Sequence, residues 1–88
     1  MYYVYVIQNV DARDDVYIGY TSDLKRRIKQ HNSQDNRGYT RRRKWRLVYY
    51  EAYSSDVDAR VRERRLKHDG RARYQLMRRI HNSIGTMD

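Results

Sequence analysis

Tyr2-Tyr3-Val4-Tyr5-Val6-Ile7-Gln8-Asn9 and, a few residues on, Val16-Tyr17-Ile18-Gly19-Tyr20 decide how this 88-residue chain folds. The first stretch carries β-branched and aromatic residues at odd and even positions alike. That pattern fits a strand buried on both faces. Val10 to Asp15 is polar and turn-like. Such a short connection pairs the two strands antiparallel.

Downstream, Leu24, Ile28 and His31 recur at i, i+4 and i+7, which predicts an amphipathic helix over 23–32. Thr21 or Ser22 would cap it, with Asp23 at its positive end. Asn32 to Lys44 carries loop chemistry. Trp45 to Tyr53 reads as a third strand, with Leu47 and Tyr49 on one face and Val48, Tyr50 and Ala52 on the other. Ser55-Asp56-Val57-Asp58 has the spacing of a capping box with Asp in place of Glu. The helix it opens runs to about His68, where Gly70 suits a stop. Tyr74, Leu76, Met77 and Ile80 support a last helix, roughly 72–82. The order β-β-α-β-α-α predicts an α+β domain over residues 1–82: a three-stranded, mainly antiparallel sheet flanked by helices. Residues 83–88 read as a flexible tail.

Composition sets further bounds. Seven Val, five Ile and four Leu are a thin aliphatic supply, so ten Tyr and one Trp must fill much of the core. A buried Tyr needs a partner for its hydroxyl, so this many suggests strands beside a polar site. There is no Cys, which excludes disulfides, thiolate metal sites and thiol catalysis. The three His form no close ligand pair, and no glycine-rich phosphate loop occurs. The first residues lack the features of a signal peptide, and no apolar run is long enough to span a membrane; a cytoplasmic location is the expectation. The net charge is +9, and sixteen of the twenty cations are Arg. Arg presents a planar fork matched to phosphate, so nucleic acid is the expected partner.

Four features carry candidate chemistry. Tyr5 and Tyr17 lie opposite each other if the hairpin is symmetric about Asp11; they are then either a site or two cross-strand aromatics that stabilise the sheet. Arg27 sits beside Ile28 and one turn before His31, either facing an anion or solvated among its basic neighbours. Glu63 is the only acid in Arg60–Lys67. It shares a helix face with Ala59 and Leu66, where a carboxylate needs a metal or an Arg; the alternative is an ion pair with Lys67. The run Arg37, Arg41, Arg42, Arg43, Lys44 and Arg46 has no acid and is interleaved with Tyr39 and Trp45. It is the electrostatic footprint of a phosphate backbone, with aromatics placed to stack on unpaired bases.

Taken together, Tyr3-Val4-Tyr5, Tyr17-Ile18-Gly19, Asp23 to Ile28, His31-Asn32, Gly38 to Arg41, Trp45 to Glu51 and Ala59 to Lys67 resemble the GIY-YIG nuclease superfamily, most closely its small stand-alone members. The resemblance implies a metal-dependent endonuclease that hydrolyses DNA phosphodiester bonds. By that likeness Tyr5 and Tyr17 match the motif tyrosines, Gly19 the second motif's structural glycine and Arg27 the helix arginine. His31 matches the following His or Tyr, and Glu63 the metal-binding glutamate. Glu63 would hold one Mg²⁺ or Mn²⁺ and Arg27 would clamp the phosphate. Tyr5 or His31 would be the general base, with Tyr17 orienting water or phosphate. Lys67 joins the nucleic-acid-binding cations. Tyr3 stands where the family has Gly, and Lys44 where similar proteins have Pro. The late Asn of some family branches has no match here: Gln75 lies near the expected distance and Asn82 is further on. The alternative is a nucleic-acid-binding module that keeps the fold without the chemistry. The likeness leaves open whether the DNA is single-stranded, branched or duplex. Sequence preference would be weak or supplied by a protein partner, and repair, restriction of incoming DNA and mobile-element roles are all compatible.

Overall fold

The computed structural model describes residues 1–33, 38 and 40–85. Its elements are β1 (Tyr2–Asn9), β2 (Ala12–Thr21), α1 (Leu24–His31), β3 (Trp45–Tyr53), α2 (Asp56–His68), α3 (Gly70–Arg79) and α4 (His81–Ile84). The sheet is antiparallel with strand order β2-β1-β3. The α+β layout expected from the residues is present, with α4 added at the end.

β1 is central, so its two faces bury different sets. Val4 and Val6 point to one side, where Ile18, Ala59, Leu66, Leu76 and Ile80 close a core under α2 and α3. Tyr5 and Ile7 point to the other, where Trp45 and the partly buried Tyr17, Leu24, Ile28 and Leu47 form a second cluster under α1. Each fully buried aliphatic side chain contributes about 1.5–3 kcal/mol, so the α2 side carries most of the apolar stabilisation.

The hairpin is not symmetric about Asp11. Tyr5 pairs with Gly19 and Ile7 with Tyr17, and the register shifts between Gln8 and Asn9. The cause is Arg13-Asp14-Asp15, which adds residues to β2 that β1 does not match. Polar bonds hold this bulge: Gln8 Nε2 donates to Arg13 O at 3.0 Å and Asn9 Nδ2 to Asp15 Oδ2 at 3.0 Å. Tyr5 and Tyr17 therefore share a face but sit two residues out of step. A second irregularity between Val6 and Ile7 puts Tyr49 opposite Val6 and Leu47 opposite Ile7. Leu47 and Tyr49 thus face opposite sides, and simple alternation along β3 fails there.

Caps correct two boundaries. Asp23, rather than Thr21 or Ser22, caps α1 by accepting from Arg26 N at 3.1 Å. Thr21 Oγ1 instead holds the preceding turn through Asp23 N. Asp69 ends α2, its N–H bonding to Arg65 O at 2.8 Å, and its carboxylate starts α3 by accepting from Arg71 N and Ala72 N. Gly70 is consequently the first residue of α3 and not a stop. Ser55 caps α2 as expected. Ser83 and Ile84, read above as tail, end α4, where Ile84 O accepts from Gln8 Nε2 and Ser83 O from Arg46; residues 86–88 lie outside the described residues.

The α2 face is locked by one carboxylate. Arg62 grips Glu51 in bidentate fashion at 2.9 and 3.0 Å, and the hydroxyls of Tyr49 and Tyr53 donate to the same carboxylate. Burial alone would raise the Glu51 pKa; the bonds from Arg62, Tyr49 and Tyr53 outweigh it and hold the carboxyl below its ordinary 4.5. A carboxyl depressed in the folded state adds stability above its unfolded pKa, and loses it as pH falls through the folded value. Glu51→Gln should cost about 2 kcal/mol at pH 7. In chemical denaturation from pH 6 to pH 3 it should lose less stability than the parent.

Candidate active site

The second cluster converges on the Tyr5 hydroxyl. Tyr5 is fully buried in central β1, and its ring crosses the neighbouring strand over Gly19. A Cβ built on Gly19 would collide with the Tyr5 hydroxyl and ring. Gly19 is therefore required by close approach. Beyond Gly19 the Tyr5 hydroxyl meets His31 Nε2 at 2.6 Å, and the opposite ring nitrogen, Nδ1, lies 2.6 Å from Thr40 Oγ1. The His31 ring also packs against both motif tyrosines, at centroid distances of 5.6 Å to Tyr5 and 5.4 Å to Tyr17. The two tyrosines meet through His31 and not across the hairpin.

Arg27 reaches this cluster from the half-buried side of α1. Its Nε donates to Gln30 Oε1 at 3.1 Å, which fixes the guanidinium plane. Burial pushes the Tyr5 hydroxyl up to about 12 against the opposing pull of Arg27. Tyr5 is thus a neutral phenol at pH 7. Burial, and then the Arg27 charge, lower the His31 pKa below its ordinary 6.5, so His31 is neutral as well. A neutral imidazole has one donor and one acceptor nitrogen. For Nε2 to accept from Tyr5, Nδ1–H must donate to Thr40 Oγ1. Thr40 is 2% exposed and went unnoticed in the sequence because its loop reads only as polar.

Glu63 comes from α2, the helix packed on the opposite face of the sheet. Its charge is felt at Tyr5, where it disfavours phenolate. Glu63 pairs with Lys67 at 3.1 Å, the ion pair named above as the alternative. Lys67 Nζ in turn sits 5.0 Å from the Tyr17 ring centroid. Among the described residues there is no group of three or more His, Asp or Glu that could by itself hold a metal. A lone carboxylate fits Mg²⁺, which keeps several waters and takes its remaining ligands from substrate phosphate.

The basic loop divides. Arg41, Arg42, Arg43 and Lys44 are exposed, with Arg42 in the left-handed region at φ 63°; Arg43 is also 3.7 Å from Asp15. Arg37 and Tyr39 lie outside the described residues. Trp45 is only 4% exposed, with its Nε1–H bonded to Thr40 O and its backbone clamped by Asn32. It is a core residue and cannot stack on a base. Arg46 points to the other face, where it bonds Gln8 Oε1 and the carbonyls at the end of α4. It braces the fold there, away from the Tyr5 cluster. Gln75 and Asn82, the two residues set against the late Asn above, are exposed on α3 and α4.

Two outcomes test this geometry. The His31 ring protons, followed by NMR, should titrate below pH 6.5, and Arg27→Gln should move that midpoint upward, because a repelling charge is removed. Gly19→Ala should displace Tyr5 and lower stability by about 1–3 kcal/mol through overpacking, read by thermal unfolding.

Comparison with known proteins agrees with this architecture. The family model for the GIY-YIG catalytic domain matches residues 1–75. A UPF0213 protein of Halobacterium salinarum is 38% identical over 78 residues, covering 88% of this chain and 99% of its own. One from Haloquadratum walsbyi is 35% identical over 77 residues, covering 86% and 84%. The solution NMR structure of a UPF0213 protein from Bacillus halodurans superposes with a TM-score of 0.55 at 34% identity, covering 99% of this chain and 100% of that one. No helix among the described residues is long and apolar enough to cross a membrane. With its two tyrosines joined by a buried histidine, the chain belongs to the GIY-YIG nuclease family, among its small UPF0213 members.

Proposed function

We propose that this chain is a metal-dependent endonuclease that hydrolyses DNA phosphodiester bonds. The observation that carries the reading is the Tyr5–His31 hydrogen bond of 2.6 Å between two neutral groups, with Arg27 beside it and the charge of Glu63 felt at Tyr5. A phenol with a pKa near 12 is ionised in roughly one molecule in 10⁵ at pH 7, so Tyr5 alone is a poor base. His31 removes that obstacle. Tyr5 passes its proton to His31 Nε2 as its oxygen takes one from the attacking water, so the two residues act in series. With Nδ1–H donating to Thr40 Oγ1, Nε2 is the nitrogen that accepts. Tyr17, packed on the other side of His31, orients the water or the phosphate.

Arg27 supplies a positive charge where phosphoryl oxygens gain negative charge, and a fixed donor aimed at developing charge is worth more than a mobile one. Glu63 would hold the divalent cation, Mg²⁺ or Mn²⁺. When bound, that cation polarises the phosphate and stabilises the leaving oxygen. Lys67, now on Glu63, would turn to a phosphate. The exposed cations Arg41, Arg42, Arg43 and Lys44 would hold the nucleic-acid backbone.

The test is cleavage of labelled single-stranded, duplex and branched DNA with Mg²⁺, with Mn²⁺ and with chelator. Metal-dependent products are expected from the parent. Glu63→Ala should lose them while keeping nucleic-acid binding. The single-turnover rate should fall as pH drops through the His31 pKa, because a protonated imidazole cannot accept from Tyr5. Binding without products in either metal would overturn the nuclease reading in favour of a binding module.

A further inference from the structure

Helix α1 is eight residues long, about 12 Å at 1.5 Å per residue. β1 and β3 have eight and nine residues, roughly 26–30 Å at 3.3 Å each. The helix therefore covers one end of its sheet face, over Ile7, Leu47 and Trp45, and among the described residues it leaves the other end open. Tyr3 and Tyr50 stand at that open end. Tyr50 is in register with Tyr5, so both side chains leave the sheet on the same face. Tyr50 is 52% exposed, and Tyr3 meets it edge-on with ring centroids 5.9 Å apart. Across β1, Tyr3 is paired with Thr21. Thr21, Arg26 and Arg27 line a polar hollow of about 260 Å³, shared with Ser22, Asp23 and Gln30.

We propose that Tyr3 and Tyr50 form a stacking platform for an unpaired nucleobase, with a neighbouring phosphate of the same strand held by Arg26 and Arg27. The proposal rests on the nucleic-acid-binding half of the reading above and not on its chemistry. Charge complementarity selects the occupant. The chain is +9, and two guanidinium groups line the hollow that Thr21, the cross-strand partner of Tyr3, also lines. The acid beside Tyr50 in sequence, Glu51, points to the opposite face and is engaged by Arg62. A base within a duplex has both its faces covered by its neighbours, so only an unpaired or frayed base can lie on Tyr50. Stacking of this kind tolerates any base, because every base presents a π-face. The platform replaces Trp45, which the core has taken.

The test is binding of a labelled twelve-nucleotide oligothymidylate and of a blunt duplex of the same length, by fluorescence anisotropy in chelator so that nothing is cut. Tyr50→Ala should weaken the single strand about tenfold and the duplex no more than about twofold, and Tyr50→Trp should restore the single strand. An abasic strand, which keeps the phosphates, should bind the parent and Tyr50→Ala alike. Tyr50 is exposed, so all variants should keep the parent's thermal midpoint. Equal losses on single strand and duplex, or no loss, would overturn the platform. A parent that binds but never cuts would defeat the nuclease reading and leave the platform result standing. A parent that cuts while Tyr50→Ala binds single strands normally would remove the platform alone.

Discussion

One close approach organises the molecule: the Tyr5 ring lying over Gly19. It is possible only because Gly19 has no side chain and because the register sets these two residues opposite each other. From there the Tyr5 hydroxyl, His31 and Thr40 form a continuous buried line. Thr40 O then accepts from Trp45 Nε1, and Asn32 clamps the Trp45 backbone. The end of α1, the end of the following loop and the start of β3 are thereby tied to the central strand. The groups that would do chemistry are the same groups that hold α1 on the sheet. A buried polar line of this kind is costly unless every member is satisfied, and no described buried side-chain polar atom lacks a partner.

The two faces of the sheet divide the work. The α2 side buries the aliphatic residues and closes the Glu51, Arg62, Tyr49 and Tyr53 network. The α1 side is thinner, more aromatic and more polar. Glu63 belongs to the first side by its helix, and its partner Lys67 lies against the ring of Tyr17 on the second. This division also sorts the arginines. Arg62, Arg46 and Arg73 are spent on a carboxylate and on helix-end carbonyls, and Arg60 on Asp56. The surplus that marks the chain as a partner of nucleic acid is therefore carried by fewer residues than composition suggests.

Much was legible from residue order. The strand patterns of β1 and β3, the Ser55 cap and the periodicity of α1 and α2 are local signals, and local propensity with period sets them. The family motifs were legible for the same reason, since each is a short run of fixed spacing. Three features were not. The Arg13–Asp15 bulge moved Tyr5 away from Tyr17, because polar bonds from Gln8 and Asn9 rewarded an unequal hairpin. Asp69 took both helix ends, because one carboxylate could cap α3 while its own N–H closed α2. Trp45 entered the core because Thr40 supplied an acceptor for its indole.

The sequence by itself determined the element types, the antiparallel sheet, the excess of positive charge and the identity of Tyr5, Tyr17, Arg27, His31 and Glu63 as residues to watch. Those are properties of composition and spacing, and for His31 of the family resemblance. Only the tertiary structure decided that His31 joins the two tyrosines, that Thr40 meets its other ring nitrogen, that Glu63 comes from the helix behind the sheet, and that Tyr50 and not Trp45 faces solvent. Each of these depends on register and burial. Register is fixed by long-range pairing and bulges, and burial by which face a helix covers, and neither is written in any short stretch of the chain.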